Sequence, residues 1–315
     1  MARFPRAEAS KLMKHRRLPD FIVIGAMKSA TTTLHEQLVR QCGLFMSRSK
    51  EPNFFSDDAN YARGIEWYAS FFAGAGDHLL LGESSTHYTK LPTHPHTVER
   101  MVRALPRVKL IYVMRHPIDR LTSHYLHELT VGQISVGLEE AVERHPELVD
   151  YGRYSMQLEP YLRVYGPESI LPLFFDRLVD QPDRELARLG QFLGVHEPLC
   201  WDHALKPQNV GRERMRKSPL REAIVQAPVL STLRRTLIPR PLTEGLKSLW
   251  KVGIDPPLVP AGLSDRLREL FDRDLTRLGS WLGVELDCDS FHAVAAAQPL
   301  SWRQFDPDPC CFYRP

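Results

Sequence analysis

The chain has 315 residues, enough for one large α/β domain or two small ones, and 43% of them are hydrophobic, enough for a substantial core. A net charge of +3 argues against bulk nucleic-acid binding, so no nucleic-acid partner is expected. Five cysteines, with no Cys-x-x-Cys and no histidine-paired spacing, argue against zinc and against a disulfide framework.

Residues 1–18 are basic, carrying Arg3, Arg6, Lys11, Lys14, Arg16 and Arg17, and contain no apolar stretch of signal-peptide length. They read as a peripheral arm. No run in the chain approaches membrane-spanning length, so a soluble, cytoplasmic protein is expected. Residues 21–24 (F-I-V-I) form a buried-strand pattern after Pro19-Asp20, and Gly25 allows a tight turn. Lys28, Ser29, Ala30, Thr31, Thr32 and Thr33 follow, and then Leu34, Leu38 and Val39 at helical spacing. A strand, a turn, a lysine and hydroxyls at a helix N-terminus make an anion cradle, because free amides and the positive end of the dipole face the anion. The spacing is not that of a Walker A loop: no second glycine precedes Lys28. A threonine-rich cap on an ordinary αβ unit is the plainer alternative.

The loop resembles the 5′-phosphosulfate-binding loop of sulfotransferases that use 3′-phosphoadenosine 5′-phosphosulfate (PAPS), with the pattern K-[ST]-G-T-T. Lys28, Ser29, Thr31 and Thr32 match, and Ala30 stands where glycine is usual. Residues 47–55 (S-R-S-K-E-P-N-F-F) read as a loop at a strand end, anchored by Phe54 and Phe55. This segment is similar to the K-E-x-x-F-F segment of glycan sulfotransferases, which implies Glu51 as general base with Lys50 beside it; Asn53 departs from the usual histidine. Residues 61–72 are aromatic-rich and predict a short helix, and residues 79–82 a strand. Next, G-E-S-S-T-H-Y-T-K at 82–90 resembles a G-E-K-[ST]-P-x-Y segment, with Ser84 and Thr86 as departures. It implies an acceptor-side wall with Glu83, His87 and Tyr88, the alternative being a capping turn. His94, His96 and Glu99 lack metal-site spacing, and no metal is expected.

Residues 108–114 predict another buried strand, followed by R-H-P-I-D-R-L-T-S-H-Y at 115–125. Pro117 fits a first helical turn. Arg120, Ser123 and His124 fall on neighbouring positions, with Leu121, Tyr125 and Leu129 able to face the core. Arg115 and Ser123 can grip one anion together. The stretch resembles the 3′-phosphate motif R-x-P-x-x-R-x-x-S-x-[YF] of the same family. Residues 135–144 and 184–193 read as helices, 170–175 as a strand, and 152–162 as scaffold that also resembles the family. Residues 206–217 are densely basic; by resemblance, a late basic loop completes the 3′-phosphate site, with Arg214, Arg216 and Lys217 as candidates. Residues 223–260 are Pro-rich and read as a flap. Leu267, Leu270, Phe271, Leu275, Leu278 and Leu282 lie at helical spacing within 263–282. Residues 298–315 read as a tail without an evident task.

Together these imply a single α/β domain over residues 19–297, with a central parallel sheet flanked by helices in a P-loop-like sulfotransferase fold. The implied activity is sulfuryl transfer from PAPS, without a metal, to a hydroxyl or amine of a small-molecule or glycan acceptor. Lys28 and Glu51 would be the catalytic pair. The rival classes are a P-loop kinase using ATP and magnesium, and a non-catalytic nucleotide- or RNA-binding protein.

Overall fold

The computed structural model describes residues 17–205, 257–303 and 305. The basic stretch with Arg214, Arg216 and Lys217, most of the arm and most of the flap lie outside the described residues. Five strands form one sheet: β1 (Phe21–Gly25), β2 (Leu44–Met46), β3 (Leu80–Ser84), β4 (Lys109–Met114) and β5 (Ile170–Phe174), in spatial order β2-β3-β1-β4-β5. Every pairing is parallel. A parallel sheet is covered on both faces, so its strands read as continuous apolar runs. In β1 the side chains alternate between two cores: Phe21 and Val23 join Ile111 and Val113, while Ile22 and Ile24 join Leu110 and Tyr112. Strand β2 had no sequence signal of its own, because three residues are too few to show a period.

The main helices are α1 (Thr31–Val39), α2 (Thr97–Ala104), α3 (Pro117–Val131), α4 (Tyr154–Tyr165), α5 (Pro182–Leu193), α6 (Ala261–Leu282) and α7 (Phe291–Ala297). Leu34 and Leu38 of α1 and Leu186, Leu189 and Leu193 of α5 cover one face. Leu121 of α3, Leu158 and Leu162 of α4, and Leu267, Phe271, Leu275 and Leu278 of α6 cover the other. Each such side chain, fully buried, is worth about 1.5–3 kcal/mol of transfer free energy. Pro117 opens α3 at its first turn, where a missing N–H costs nothing.

Several expectations are corrected. The single helix expected over 61–72 breaks at Gly64 (φ 82°) into Asp58–Ala62, Ile65–Ala69 and a 3-10 turn at Ser70–Phe72, because Gly64 takes a left-handed conformation no helix interior allows. Leu270 is half exposed and off the buried stripe of α6, which runs instead through Leu263, Leu267, Phe271, Leu275 and Leu278. Residues 298–303 are not a loose tail: Leu300 is buried and the indole Nε1 of Trp302 donates to the Ile170 carbonyl at 2.7 Å. At the other end Arg17 is docked, donating to the carbonyls of Gly76 and Leu79. No helix among the described residues is long and apolar enough to cross a membrane.

Candidate active site

In the order β2-β3-β1-β4-β5 the chain leaves β1 to one side and returns after β3 to the other. The carboxyl end of β1 is therefore a topological switch point, where α/β sheets open a crevice. Loops 26–30, 47–55, 85–90 and 115–116 all leave that edge of the sheet.

Gly25 starts the first loop. A Cβ there would lie 2.2 Å from the hydroxyl of Thr89, which itself donates to the Ile24 carbonyl, so only glycine fits. Lys28 and Ala30 both take left-handed backbone, φ 71° and 61°. That conformation costs an L-residue about 1–2 kcal/mol, so Ala30 carries strain that a glycine would not. Helix α1 begins at Thr31 with no side-chain cap from Ala30 and no acid in its first turn, which leaves its N-terminus to an anion. Ser29 is wholly buried, and its hydroxyl has no hydrogen-bond partner among the described residues. A buried hydroxyl left unmatched at a helix N-terminus is one that a bound phosphate would satisfy.

Arg115, at the end of β4, reaches the same loop. Its Nη1 donates to the Lys28 carbonyl at 3.3 Å, its guanidinium lies 4.7 Å from the ring centre of Phe175, and its buried Nε is unmatched. Tyr154 of α4 fixes the backbone behind it: the hydroxyl accepts from the Arg115 amide at 3.2 Å and donates to the Arg115 carbonyl at 2.5 Å. Ser123 sits nearly two turns into α3, half-buried. Arg120, on a neighbouring position of the helix, is fully buried among tyrosines, with one N–H on the Leu148 carbonyl. His124 is buried too, so the polar side of α3 is narrower than its sequence implied. Ser29 and Arg115, each with a buried unmatched donor beside Lys28, fit an anionic nucleotide.

Across the crevice, Glu51 and Asn53 have φ 57° and 50°, left-handed for two residues that are not glycine. Such backbone persists only where its surroundings over-determine it. Here the segment after β3 does so. The Glu51 amide donates to the Ser84 carbonyl (2.9 Å), the Asn53 amide to Ser85 Oγ (3.2 Å), and the Phe55 amide to the Tyr88 hydroxyl (3.5 Å). Thr86 Oγ1 donates to Glu51 Oε1 at 3.3 Å. Phe54 stacks on Tyr68 with ring centres 4.7 Å apart. Lys50 Nζ lies 2.6 Å from the same Glu51 oxygen. Burial pushes the Glu51 carboxyl up, but the charge and hydrogen bond of Lys50, with Lys90 further off, outweigh it and hold the group below its ordinary value. Glu51 is therefore ionised at neutral pH and remains partly open to solvent.

The expected acceptor wall is corrected in part. Glu83 and Tyr88 are 0% and 2% exposed, so neither offers a surface to an acceptor; the Tyr88 hydroxyl instead holds the Phe55 amide of the 47–55 loop. The oxygens of Glu83 make no well-formed hydrogen bond, although the hydroxyls of Tyr88, Tyr68 and Ser85 surround them. Burial overrides those hydroxyls and pushes its carboxyl up to about 7. His87 is half-buried and stacks on His94, and burial lowers it to about 4, so it is neutral. Sequence reasoning missed Tyr154, Thr86 and two more. Lys90, whose ammonium burial brings down to about 8, lies over the Tyr151 ring. His35 of α1 is buried, 3.0 Å from Ser84 Oγ, and lowered to about 4 by burial and then by Lys50. Neither has a local motif; each is placed by a contact between distant segments.

The family profile described as sulfotransferase domain matches residues 18–218. The chain belongs to the sulfotransferase family. Among curated relatives it is 30% identical over 201 residues to human heparan sulfate glucosamine 3-O-sulfotransferase 6, covering 60% of this chain and 56% of that protein. It is 28% identical over 220 residues to mouse heparan sulfate glucosamine 3-O-sulfotransferase 3A1, covering 64% and 52%. The chain thus spans about half the length of these sulfotransferases. A solved sulfotransferase from Alicyclobacillus acidocaldarius, 21% identical, superposes with a TM-score of 0.61 over 86% of this chain and 98% of that one, which shows the shared sulfotransferase fold.

Proposed function

We propose that this sulfotransferase moves the sulfuryl group of PAPS to a hydroxyl of a glycan. The observation that carries the reading is the pairing of two features across one switch point. On one side is an anion loop with unmatched buried donors at Ser29 and Arg115; on the other is an ionised Glu51 on a rigid mount. The printed names of the relatives, which are heparan sulfate sulfotransferases, support the glycan.

PAPS, when bound, supplies the sulfuryl group and a phosphate that leaves with the electron pair of the broken sulfur–oxygen bond. Lys28, Ser29, Ala30, Thr31, Thr32 and Thr33 would hold the 5′-phosphate, and Arg115 and Ser123 the 3′-phosphate. Glu51 takes the acceptor's proton as the acceptor oxygen bonds to sulfur, and Lys28 neutralises the charge that develops on the departing oxygen. The products are a sulfate ester and 3′-phosphoadenosine 5′-phosphate (PAP), and the charges balance with the proton on Glu51.

The test is transfer of sulfur label from PAPS to a glucuronate-containing oligosaccharide. Glu51→Gln should lower kcat at least about a hundredfold, the usual scale of general-base help. PAP binding by calorimetry should stay near wild type, since other loops make the anion cradle. A near-normal kcat in Glu51→Gln would refute the base, and magnesium-dependent phosphoryl transfer from ATP instead would refute the whole reading.

A further inference from the structure

At rest one oxygen of the Glu51 carboxylate is already engaged. Its Oε1 is occupied twice, by Lys50 Nζ at 2.6 Å and by Thr86 Oγ1 at 3.3 Å. With both acceptor positions of Oε1 taken, an incoming hydroxyl is left with Oε2, and the ammonium's charge lowers the proton affinity of the whole carboxylate. Charge assistance makes the Lys50 bond one of the stronger kinds. Lys50 and Glu51 are neighbours in sequence and both partly exposed, so the ammonium can swing away without disturbing the backbone that positions the carboxylate. A second ammonium faces the same carboxylate. Lys90 is mostly desolvated and has no ion-pair partner among the described residues; Glu51 and Glu128 act on it only at a distance. One paired and one unpaired ammonium beside a single carboxylate leave room for one more negative group.

We propose that Lys50 masks the general base and that an anionic group on the acceptor, a carboxylate or sulfate drawn in by Lys90, takes Lys50 away and frees Glu51. This rests on the sulfuryl-transfer reading above. Lys50 is then a positioning residue that sets specificity: a neutral acceptor meets a masked base, whereas an anionic one unmasks it. The freed Glu51 oxygen accepts the acceptor's proton, the acceptor oxygen takes the sulfuryl group, and the former phosphosulfate oxygen leaves on PAP with the bonding pair.

The groups that bear on Glu51 come from every element packed around it: Lys50 on its own loop, His35 from α1, Glu83 from β3, and His87 and Lys90 from the segment after β3. Among these, Lys50 is the cation bonded to the carboxylate itself. Its removal favours the protonated carboxyl, so the acid limb of the kcat/KM profile should move to higher pH in Lys50→Met.

The experiment compares two probes with labelled PAPS: an oligosaccharide of alternating glucuronate and N-acetylglucosamine, and the same sugar with its carboxylates reduced to alcohols. The wild type should favour the carboxylate form by about tenfold or more, the scale of one charge-assisted hydrogen bond. Lys50→Met should bring that ratio close to one, chiefly by raising kcat on the reduced sugar, and should shift the acid limb upward. Lys50→Arg should keep the preference, and Lys90→Met should raise KM for the carboxylate form alone. PAP calorimetry on each variant reports that the fold survives, and Lys50→Gln replaces Lys50→Met if that variant does not fold. Equal losses on both sugars with an unmoved acid limb would overturn the masking role. A wild type that transfers label to neither sugar would overturn the glycan-acceptor reading on which this proposal rests.

Discussion

Glu83 and Glu51 are both carboxylates at the carboxyl edge of the sheet, yet their surroundings drive them in opposite directions. Glu51 sits beside ammonium groups and stays ionised; Glu83 sits beneath it, wholly enclosed, and is raised to about 7 from an ordinary 4.5. Between those two pH values the folded chain keeps a proton that the unfolded chain releases. Stability therefore falls as pH rises through that window, and the loss is complete above it. Glu83→Gln keeps the shape and removes the titration. The variant should match the wild type in urea unfolding near pH 4 and exceed it at pH 8, by on the order of 2–3 kcal/mol. An unchanged slope of stability against pH would show that Glu83 is not the buried acid described here. The comparison also separates the two carboxylates by task, since a group without exposed surface cannot meet an acceptor.

At the scale of elements, α4 and the loop after β4 form one unit, on the proposed cofactor side of the crevice. The Tyr154 hydroxyl makes two hydrogen bonds to the Arg115 backbone, so the arginine leaves the strand in a fixed direction. Arg115→Ala should weaken PAP binding by about 1.5–3 kcal/mol, the range for a hydrogen bond to a charged group. Tyr154→Phe should weaken it less, and both should leave adenosine 5′-phosphosulfate, which lacks the 3′-phosphate, almost unaffected. Equal weakening of both ligands by calorimetry would remove Arg115 from the 3′-phosphate site. The anion loop and the strand-arginine-helix unit were legible in the sequence because each is continuous: an apolar run, then the functional residues, then helical spacing. The mount of the base loop was not legible. It joins 51–55 to 84–88, and nothing local to Ser84, Ser85 or Thr86 shows that they hold Glu51 and Asn53 in left-handed backbone. The burial of Arg120 was likewise hidden, since the tyrosines around it, Tyr112 from β4 and Tyr151 and Tyr154 around the start of α4, come from two segments outside its own helix. A polar run after a strand reads as surface, and Glu83 lay under it.

At the scale of the whole molecule, residues 300–303 pack onto the edge of the sheet and onto α6. Trp302 bonds the backbone of β5, Leu300 is buried, and the Arg303 amide donates to the Trp281 carbonyl at 2.8 Å. Trp302→Ala should lower the unfolding free energy by about 3 kcal/mol, the low end for a large aromatic truncated in a core, because the residue is only partly buried. A change below about 0.5 kcal/mol, the scale of an ordinary surface substitution, would return these residues to the status of a tail. The interlock of the base loop with the segment after β3 also bears on how such a molecule can diversify. Two stretches clasped at four points must be inherited, or transplanted by an engineer, as a pair. A one-residue insertion in either would unclasp the other and let the strained backbone at Glu51 relax. On the proposed reading, acceptor preference would change through the side chains of Lys50, His87 and Lys90, while the length of each stretch is closed to change.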